Sequence, residues 1–432
     1  MNDALVVLLG DRVAGTLTRL TGGQLRFDYD PLYREAETAT PLSLSMPVRI
    51  NSHSDRVVTP WLWGLLPDNE AVLRRWAREL QASASSAFSL LSTPVGEDCA
   101  GAVRFVAPDR VEEALGRSGE VTWLDESGVA ERLRELREDA TAWLGEVFTG
   151  QFSLAGTQAK TALLLDGNRW GVPTGSIPTT HILKPGVQGL ADQDLDEHLC
   201  LDAARRAGLV VAHTRIERFA EFSAIVVERY DRLAVDDRLV RVHQEDLCQA
   251  LGLPPDRKYQ RDGGPTPTQI ARLLRNAMSP SVAEEAVRRF ADALAWNWVI
   301  GGTDAHAKNY SLLLSAGQVR LAPLYDVASA LPYGMDEHKL RFAMKVGGSY
   351  GVYPRHDYWR AAAEALDLDA EALHARVREL AEVAPDAFSA AAATPDVQAL
   401  AGDLPARLVD LITDRGRRCL ELLDRKAHDP AA

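Results

Sequence analysis

Ile300-Gly301-Gly302-Thr303-Asp304-Ala305-His306-Ala307-Lys308-Asn309-Tyr310-Ser311-Leu312-Leu313, followed by Leu321-Ala322-Pro323-Leu324-Tyr325-Asp326, is the stretch that decides what this chain can be. Just upstream, Val287, Phe290, Leu294 and Trp298 recur at helical spacing, which predicts a helix over 283–299 with one apolar face. The glycine pair ends that helix and releases a loop. In the loop a carboxylate, Asp304, stands five residues before an amide, Asn309. An apolar strand follows, and then a second strand that closes on a lone acid, Asp326.

Taken one at a time these residues are ordinary. An Asp beside a Gly-Gly pair is usually a turn residue, His306 alone is more often packed or exposed than functional, and Asp and His two apart make a weak metal site. The ordered set is another matter, because phosphoryl transfer needs these parts. One carboxylate orients and accepts the proton of the attacking hydroxyl, while an amide oxygen and a second carboxylate hold magnesium on the phosphates. Protein kinases space the catalytic Asp and the metal-binding Asn five apart in H-R-D-x-x-x-x-N. Asp304 and Asn309 keep that spacing. Asp326 takes the place of the Asp in D-F-G, although no Phe-Gly follows it. His306 and Lys308 lie between them, suited to neutralising a transferring phosphoryl group.

The upstream half supplies the remaining parts. Ala155-Gly156-Thr157-Gln158-Ala159-Lys160 is a small-residue loop whose backbone N–H groups could cradle phosphates, though it is neither a Walker A loop nor G-x-G-x-x-G. A strand over 161–165 is closed by the hairpin signal Asp166-Gly167-Asn168. A second strand over 179–184 ends in Lys184, which could reach the α- and β-phosphates; the bland alternative is a surface lysine at a strand end. A helix over 194–207 carries Glu197, the first choice of partner for Lys184, with Glu221 and Glu228 also available. Strands are expected over 215–219 and 224–229, and from about Gln244 the chain turns helical, with further helices near 357–366, 369–382 and 405–425.

The first 145 residues read as a mixed α/β domain. Strands at 5–9 and 13–17 flank Gly10-Asp11-Arg12, another covers 25–29 and a fourth 102–106, with helices at 68–80 and 128–139. Bulk numbers agree with a large globular chain. It has 432 residues, 46% hydrophobic and 25% charged, so two or three domains are expected. A formal net charge of −13 argues against a broad basic surface for nucleic acid. Four scattered cysteines, Cys99, Cys200, Cys248 and Cys419, contain no C-x-x-C pair and fit a reducing compartment. With no basic leader and no apolar run near membrane-spanning length, a cytoplasmic protein is expected.

Over essentially its full length the sequence resembles the HipA family of bacterial Ser/Thr kinases, the toxin halves of toxin–antitoxin pairs. The resemblance is carried by Pro41-Leu42-Ser43-Leu44-Ser45-Met46-Pro47, Gly64-Leu65-Leu66-Pro67-Asp68-Asn69 and Asp98-Cys99-Ala100-Gly101-Ala102-Val103 near the N-terminus. In the middle it is carried by Ser153–Thr161, His181-Ile182-Leu183-Lys184-Pro185 and His243–Gly252, and further on by Lys258-Tyr259, Asp262-Gly263-Gly264-Pro265, Asp304–Asn309 and Tyr325-Asp326. It implies that Asp304 accepts the proton and that Asn309 and Asp326 bind Mg2+. It implies that ATP is surrounded by the Ala155–Lys160 loop, Lys184, the hinge Gln244-Glu245-Asp246, the run His306-Ala307-Lys308-Asn309 and the run Tyr325-Asp326-Val327-Ala328. Ser153 matches the serine such kinases phosphorylate on themselves. One departure stands out: the loop has Gly156-Thr157-Gln158-Ala159-Lys160 where the family commonly has Gly-Ala-Gln-Glu-Lys.

The resemblance further implies an α+β, two-lobed protein-kinase-like fold with an extra N-terminal α/β subdomain and an all-helical C-terminal lobe. The expected divisions are 1–145, 146–248 and 249–432. A helix-turn-helix antitoxin of the HipB kind is the implied partner, with DNA reached only through it and an aminoacyl-tRNA synthetase as the implied class of protein substrate. Two other readings stay open: a pseudokinase co-repressor acting through an antitoxin, and a small-molecule kinase.

Overall fold

Ala4–Leu9 (β1) and Arg12–Arg19 (β2) pair antiparallel around Gly10-Asp11, with Leu9 opposite Arg12 and Gly10 at φ +61°, a value glycine adopts without strain. The computed structural model describes residues 3–116, 119–144, 152–187, 189–236, 238–335, 337–353, 358–400 and 402–425. Its contacts group into two units that interleave along the chain. The first comprises Met1–Pro185, Phe219–Asp256 and Ser311–Ala322; the second comprises Gly186–Arg218, Arg257–Tyr310 and Pro323–Ala432. The expected domain end at residue 145 lies outside the described residues.

In the first unit, β1 and β2 join Leu25–Tyr29 (β3), Ser52–Ser54 (β4) and Val103–Val106 (β5) in a sheet of order β4-β3-β2-β1-β5. Its apolar face packs on Trp61 of the Asp55–Gly64 helix and on Trp76 of the Glu70–Glu79 helix, which Asn69 caps by accepting from the N–H of Ala71. A second sheet contains Val121–Leu124 (β6), Thr161–Asp166 (β7), Arg169–Pro173 (β8), His181–Pro185 (β9) and the strand Phe222–Glu228. Within it, β9 lies between β7 and Phe222–Glu228. The Asp166-Gly167-Asn168 signal is a true hairpin turn, with Gly167 at φ +58°. The strand it leads into is Arg169–Pro173, which the sequence reading passed over in favour of the run ending at Lys184.

Two smaller sheets also belong to this unit. Arg232–Val235 pairs with Arg238–Arg241, and His243–Asp246 pairs with Ser311–Ser315, which in turn pairs with Gln318–Leu321 across the turn Ala316-Gly317. Both turn residues have positive φ, +45° and +76°, the geometry that suits a two-residue hairpin. The expected helical turn from Gln244 therefore starts late: His243–Asp246 is a strand, and the helix begins at Leu247.

The second unit is helical in bulk. The Ala370–Ala392 helix packs against the Gln193–Arg206, Pro280–Ile300 and Leu404–Asp424 helices. Trp296 stacks on Phe388, Trp298 meets Trp359 edge to face, and the buried Arg415 donates to the carbonyls of Trp298 and Val352. Residues 249–425 are thus mainly helical, but strands at Ser311–Ser315, Gln318–Leu321, Arg341–Val346 and Ser349–Gly351 interrupt them, so the C-terminal lobe is not wholly so. The mixed α and β class agrees with expectation.

Candidate active site

The second unit gathers Asp304, the His306–Asn309 run and the Tyr325–Ala328 run. The Pro280–Ile300 helix ends on Gly301 at φ +68°, and the N–H groups of Gly301 and Gly302 both return to the Asn297 carbonyl. A Cβ at Gly302 would stand 2.3 Å from Asn297 Oδ1 and 3.2 Å from the Ala328 carbonyl, so glycine is what lets the two loops approach. The Asp304 loop is then stitched by backbone bonds: His306 N–H donates to Asp304 O at 2.7 Å, and Ala307 N–H to Lys258 O at 3.1 Å.

Asn309 joins the two acidic segments. Its buried amide nitrogen donates to the Asp304 carbonyl at 2.8 Å and to the Asp326 carbonyl at 3.5 Å. With Nδ2 committed to two carbonyls, Oδ1 is left as the acceptor end, the atom a hard cation takes. Tyr325 adds a further tie, its hydroxyl donating to the Lys308 carbonyl at 2.6 Å. His306 and Lys308 are buried within the loop.

Asp326 differs from its expected place at the tip of a strand. The strand stops at Leu321, because Pro323 cannot donate to a ladder, and Asp326 follows in the left-handed region at φ +57°. Such a conformation costs a non-glycine residue on the order of 1–2 kcal/mol and concentrates at functional sites. The donor set of an amide oxygen and a carboxylate on tied backbones fits magnesium, which binds through one or two protein oxygens and keeps its other positions for water and phosphate.

Asp304 itself is exposed, as a group that must meet an external hydroxyl should be. Its Oδ1 accepts from the hydroxyl of Tyr259 at 2.6 Å. The Tyr259 ring stands edge-on to His306 at 5.0 Å, with the Lys258 ammonium 5.7 Å and the Arg261 guanidinium 5.3 Å from its centre. Sequence reasoning noted Lys258-Tyr259 only as part of a pattern and gave Tyr259 no role; nothing local tells that residue 259 meets residue 304.

The first unit gathers the other expected residues. The 155–160 loop leads into β7, and Thr161 at the start of β7 lies opposite Leu183, beside Lys184. Lys160 folds back and donates from Nζ to the Ala155 carbonyl at 2.7 Å, its ammonium 4.9 Å from the Trp143 ring centre. Gly156, at φ +111°, makes room for it: a Cβ there would lie 2.6 Å from that ammonium. Lys184 is buried in β9. Ser153 is fully buried, donating to the Leu65 carbonyl at 2.8 Å and bridged to Cys99. Glu197 is buried in the second unit, whereas Glu221 and Glu228, in the first, are exposed.

The hinge run is more constrained than its sequence suggests. Glu245 is buried and its Oε1 accepts from the Leu44 N–H at 2.8 Å; burial pushes its carboxyl up to about 8. Asp246 caps the Leu247–Ala250 helix in a reciprocal box with Gln249. Gln244 bonds the Tyr230 hydroxyl and Asp231. Behind it lies a buried charge network. Asp98 accepts from Arg229, Arg232, Arg241 and Thr179, while Asp231 accepts from Arg229 and from the N–H of Gly101 at 2.7 Å. Burial alone would raise the Asp98 carboxyl, but Arg232, Arg229 and Arg241 outweigh it and hold it below the usual range. A Cβ at Gly101 would stand 2.6 Å from the Gln244 nitrogen, so the Asp98–Gly101 motif is the bed of the hinge.

A carboxylate, an amide and a second carboxylate on tied loops are the parts that a kinase-type phosphotransferase needs, and the relatives below place the chain in that class. The comparisons give the family. The model of the HipA-like C-terminal domain matches residues 152–388, and that of the HipA N-terminal domain residues 5–106. A protein of Sinorhizobium fredii, Y4mE, whose name marks it as a candidate kinase, is 32% identical over 386 residues, 88% of this chain and 89% of that protein. The serine/threonine-protein kinase toxin HipA of Shewanella oneidensis is 27% identical over 401 residues, 88% of this chain and 87% of that one. The solved Shewanella oneidensis complex of HipA, HipB and operator DNA has a chain of the same fold, with TM-score 0.81 at 23% identity over 98% of this chain and all of that one. The chain belongs to the HipA family.

Proposed function

We propose that this chain transfers the γ-phosphoryl group of ATP to a serine or threonine of a protein, as the toxin of a toxin–antitoxin pair. The observation that carries the reading is the Asn309 amide bonded to the backbone of both Asp304, the proposed base, and Asp326, the proposed metal ligand. Asn309 Oδ1 and the Asp326 carboxylate would hold Mg2+, which would supply positive charge against the phosphates. Asp304 takes the proton of the substrate hydroxyl through the oxygen not engaged by Tyr259. Lys308 would add positive charge, and His306 a ring nitrogen, beside the transferring group. The Ala155–Lys160 backbone and Lys184 would cradle the phosphates, and the backbone of Gln244–Asp246 the base, since the side chains of that run are committed elsewhere. We retain 1–145, 146–248 and 249–432 as the functional divisions of the chain.

The substrate we propose is a translation component such as an aminoacyl-tRNA synthetase, and Ser153 is the proposed site of autophosphorylation. The proposed partner is a helix-turn-helix antitoxin through which DNA is reached, in keeping with the net charge of −13 and with the HipB and operator DNA of the Shewanella complex. The test is transfer from γ-labelled ATP to a panel of synthetases, with Asp304→Asn as the blank. Transfer to none of them removes the substrate class. No ATP turnover by the wild type at all leaves the pseudokinase reading instead.

A further inference from the structure

We propose that Asp196, on the Gln193–Arg206 helix, is a positioning residue that fixes the backbone following Asp326 through Ser329; this rests on the kinase reading. Asp196 Oδ1 accepts from the Ser329 N–H at 3.4 Å and from Cys200 Sγ at 3.3 Å, and Oδ2 accepts from the Tyr333 hydroxyl at 3.3 Å. Ser329 in turn donates from Oγ to the Ile300 carbonyl at 2.6 Å, and the next residue, Ala330, donates its N–H to the Gly301 carbonyl at 3.2 Å. Three residues after the metal-ligand carboxylate, the chain is thus tied on one side to a buried acid and on the other to the helix end that launches the Asp304 loop.

The cost of this arrangement argues that it has a use. Asp196 is buried, and its donors, Cys200, Ser329 and Tyr333, are neutral; desolvation raises its carboxyl to about 7. An apolar residue would satisfy a helix interior more cheaply, since unpaired buried acids are strongly disfavoured. What the acid provides is a fixed acceptor pair for the Ser329–Tyr333 segment. With Asp326 in a left-handed conformation, holding the backbone downstream keeps this segment where the Asn309 amide meets the Asp326 carbonyl. Groups that orient a ligand without touching the metal are typically worth 10- to 100-fold in metal affinity.

The experiment is a titration of Mn2+ into the full chain with a non-hydrolysable ATP analogue, read by electron paramagnetic resonance, beside the Mg2+ dependence of phosphoryl transfer. Asp196→Asn and Ser329→Ala are each expected to weaken Mn2+ about tenfold or more. The Mg2+ needed for half-maximal rate should rise alike, with the rate recovered at saturating Mg2+. Ser329→Ala decides the matter if Asp196→Asn does not fold. Phe388→Leu, which loosens the core under Trp296, should lower Tm and leave Mn2+ affinity unchanged. Unaltered Mn2+ affinity in the folded variants overturns the proposal, as does equal weakening in Phe388→Leu. A wild-type protein that binds no Mn2+ with the nucleotide overturns the kinase reading itself.

Discussion

The Tyr259 hydroxyl donates a 2.6 Å hydrogen bond to Oδ1 of Asp304, across 45 positions of sequence. Asp304 is exposed and its other oxygen faces no such donor in the described contacts, so the phenol decides which oxygen is left for the substrate. A hydrogen bond to a charged group is worth about 1.5–3 kcal/mol. Tyr259→Phe should therefore slow phosphoryl transfer roughly 10- to 100-fold with Tm nearly unchanged. An unaltered rate would remove Tyr259 from the machinery.

Asp304→Asn and Asp326→Asn should fail differently. The first leaves the metal set intact: Mn2+ and nucleotide still bind, while transfer falls by about 10²–10⁴. The second should lose metal binding as well as transfer. If both variants bind Mn2+ as the wild type does, Asp326 is not a ligand.

Ser153 is sealed beneath the Leu65 carbonyl, and a phosphate with nearly two negative charges cannot be accommodated there. Its phosphorylation requires the segment to leave. Incubation with Mg2+ and ATP should make the chain near residues 153–160 at least tenfold more sensitive to limited proteolysis, together with an added phosphate on Ser153 by mass spectrometry. Neither change should occur in Asp304→Asn. Phosphate on Ser153 with unchanged proteolysis would contradict the inference.

Glu245 offers a pH test. Its folded carboxyl sits at about 8 against an ordinary 4.5, so the folded state holds a proton that the unfolded chain releases. Between those values the unfolded state binds fewer protons, and stability falls as pH rises. Glu245→Gln keeps an acceptor for the Leu44 N–H and has no proton to lose. Its melting temperature should match the wild type near pH 5 and exceed it near pH 8, by a difference worth roughly 1–3 kcal/mol. Parallel curves would show that Glu245 does not titrate in this range.

The network beneath the hinge predicts a structural loss. Asp98→Asn removes the shared counter-charge of three buried arginines, Arg229, Arg232 and Arg241. Breaking a buried ion set by deleting one partner costs about 3–5 kcal/mol. Denaturant unfolding should report that loss; a change under 1 kcal/mol would show that water reaches the network.

Much of this was legible in the sequence, and the reason is locality. Helices with strict periodicity, such as Pro280–Ile300, declare themselves, and so does a hairpin turned by Gly10-Asp11. The Asp304–Asn309 spacing was readable because both residues lie in one loop, where the Asn309 amide bonds the Asp304 carbonyl. What stayed hidden depends on pairing between distant positions. His243–Asp246 is a strand because Ser311–Ser315 lies beside it, and nothing in His-Gln-Glu-Asp says so. That the Glu245 carboxyl serves the Leu44 N–H, 201 positions away, is likewise invisible in the sequence. The pairing of Asp98 with Arg229 and Arg232 joins positions more than 130 apart, which no local pattern announces. Tyr259 could have been found only by asking which hydroxyl the exposed Asp304 meets.

The Ser311–Ala322 hairpin, counted with the first unit though it lies between Asn309 and Asp326, bears on how this polypeptide can be handled. A fragment ending near residue 248 would keep His243–Asp246 but lack the strand that covers its edge, and bare edges recruit other chains. A fragment starting there would carry the hairpin with nothing to receive it. Neither half is a self-sufficient product, so gene truncations, split reporters and fusion junctions belong at the ends of this protein and not at its apparent waist.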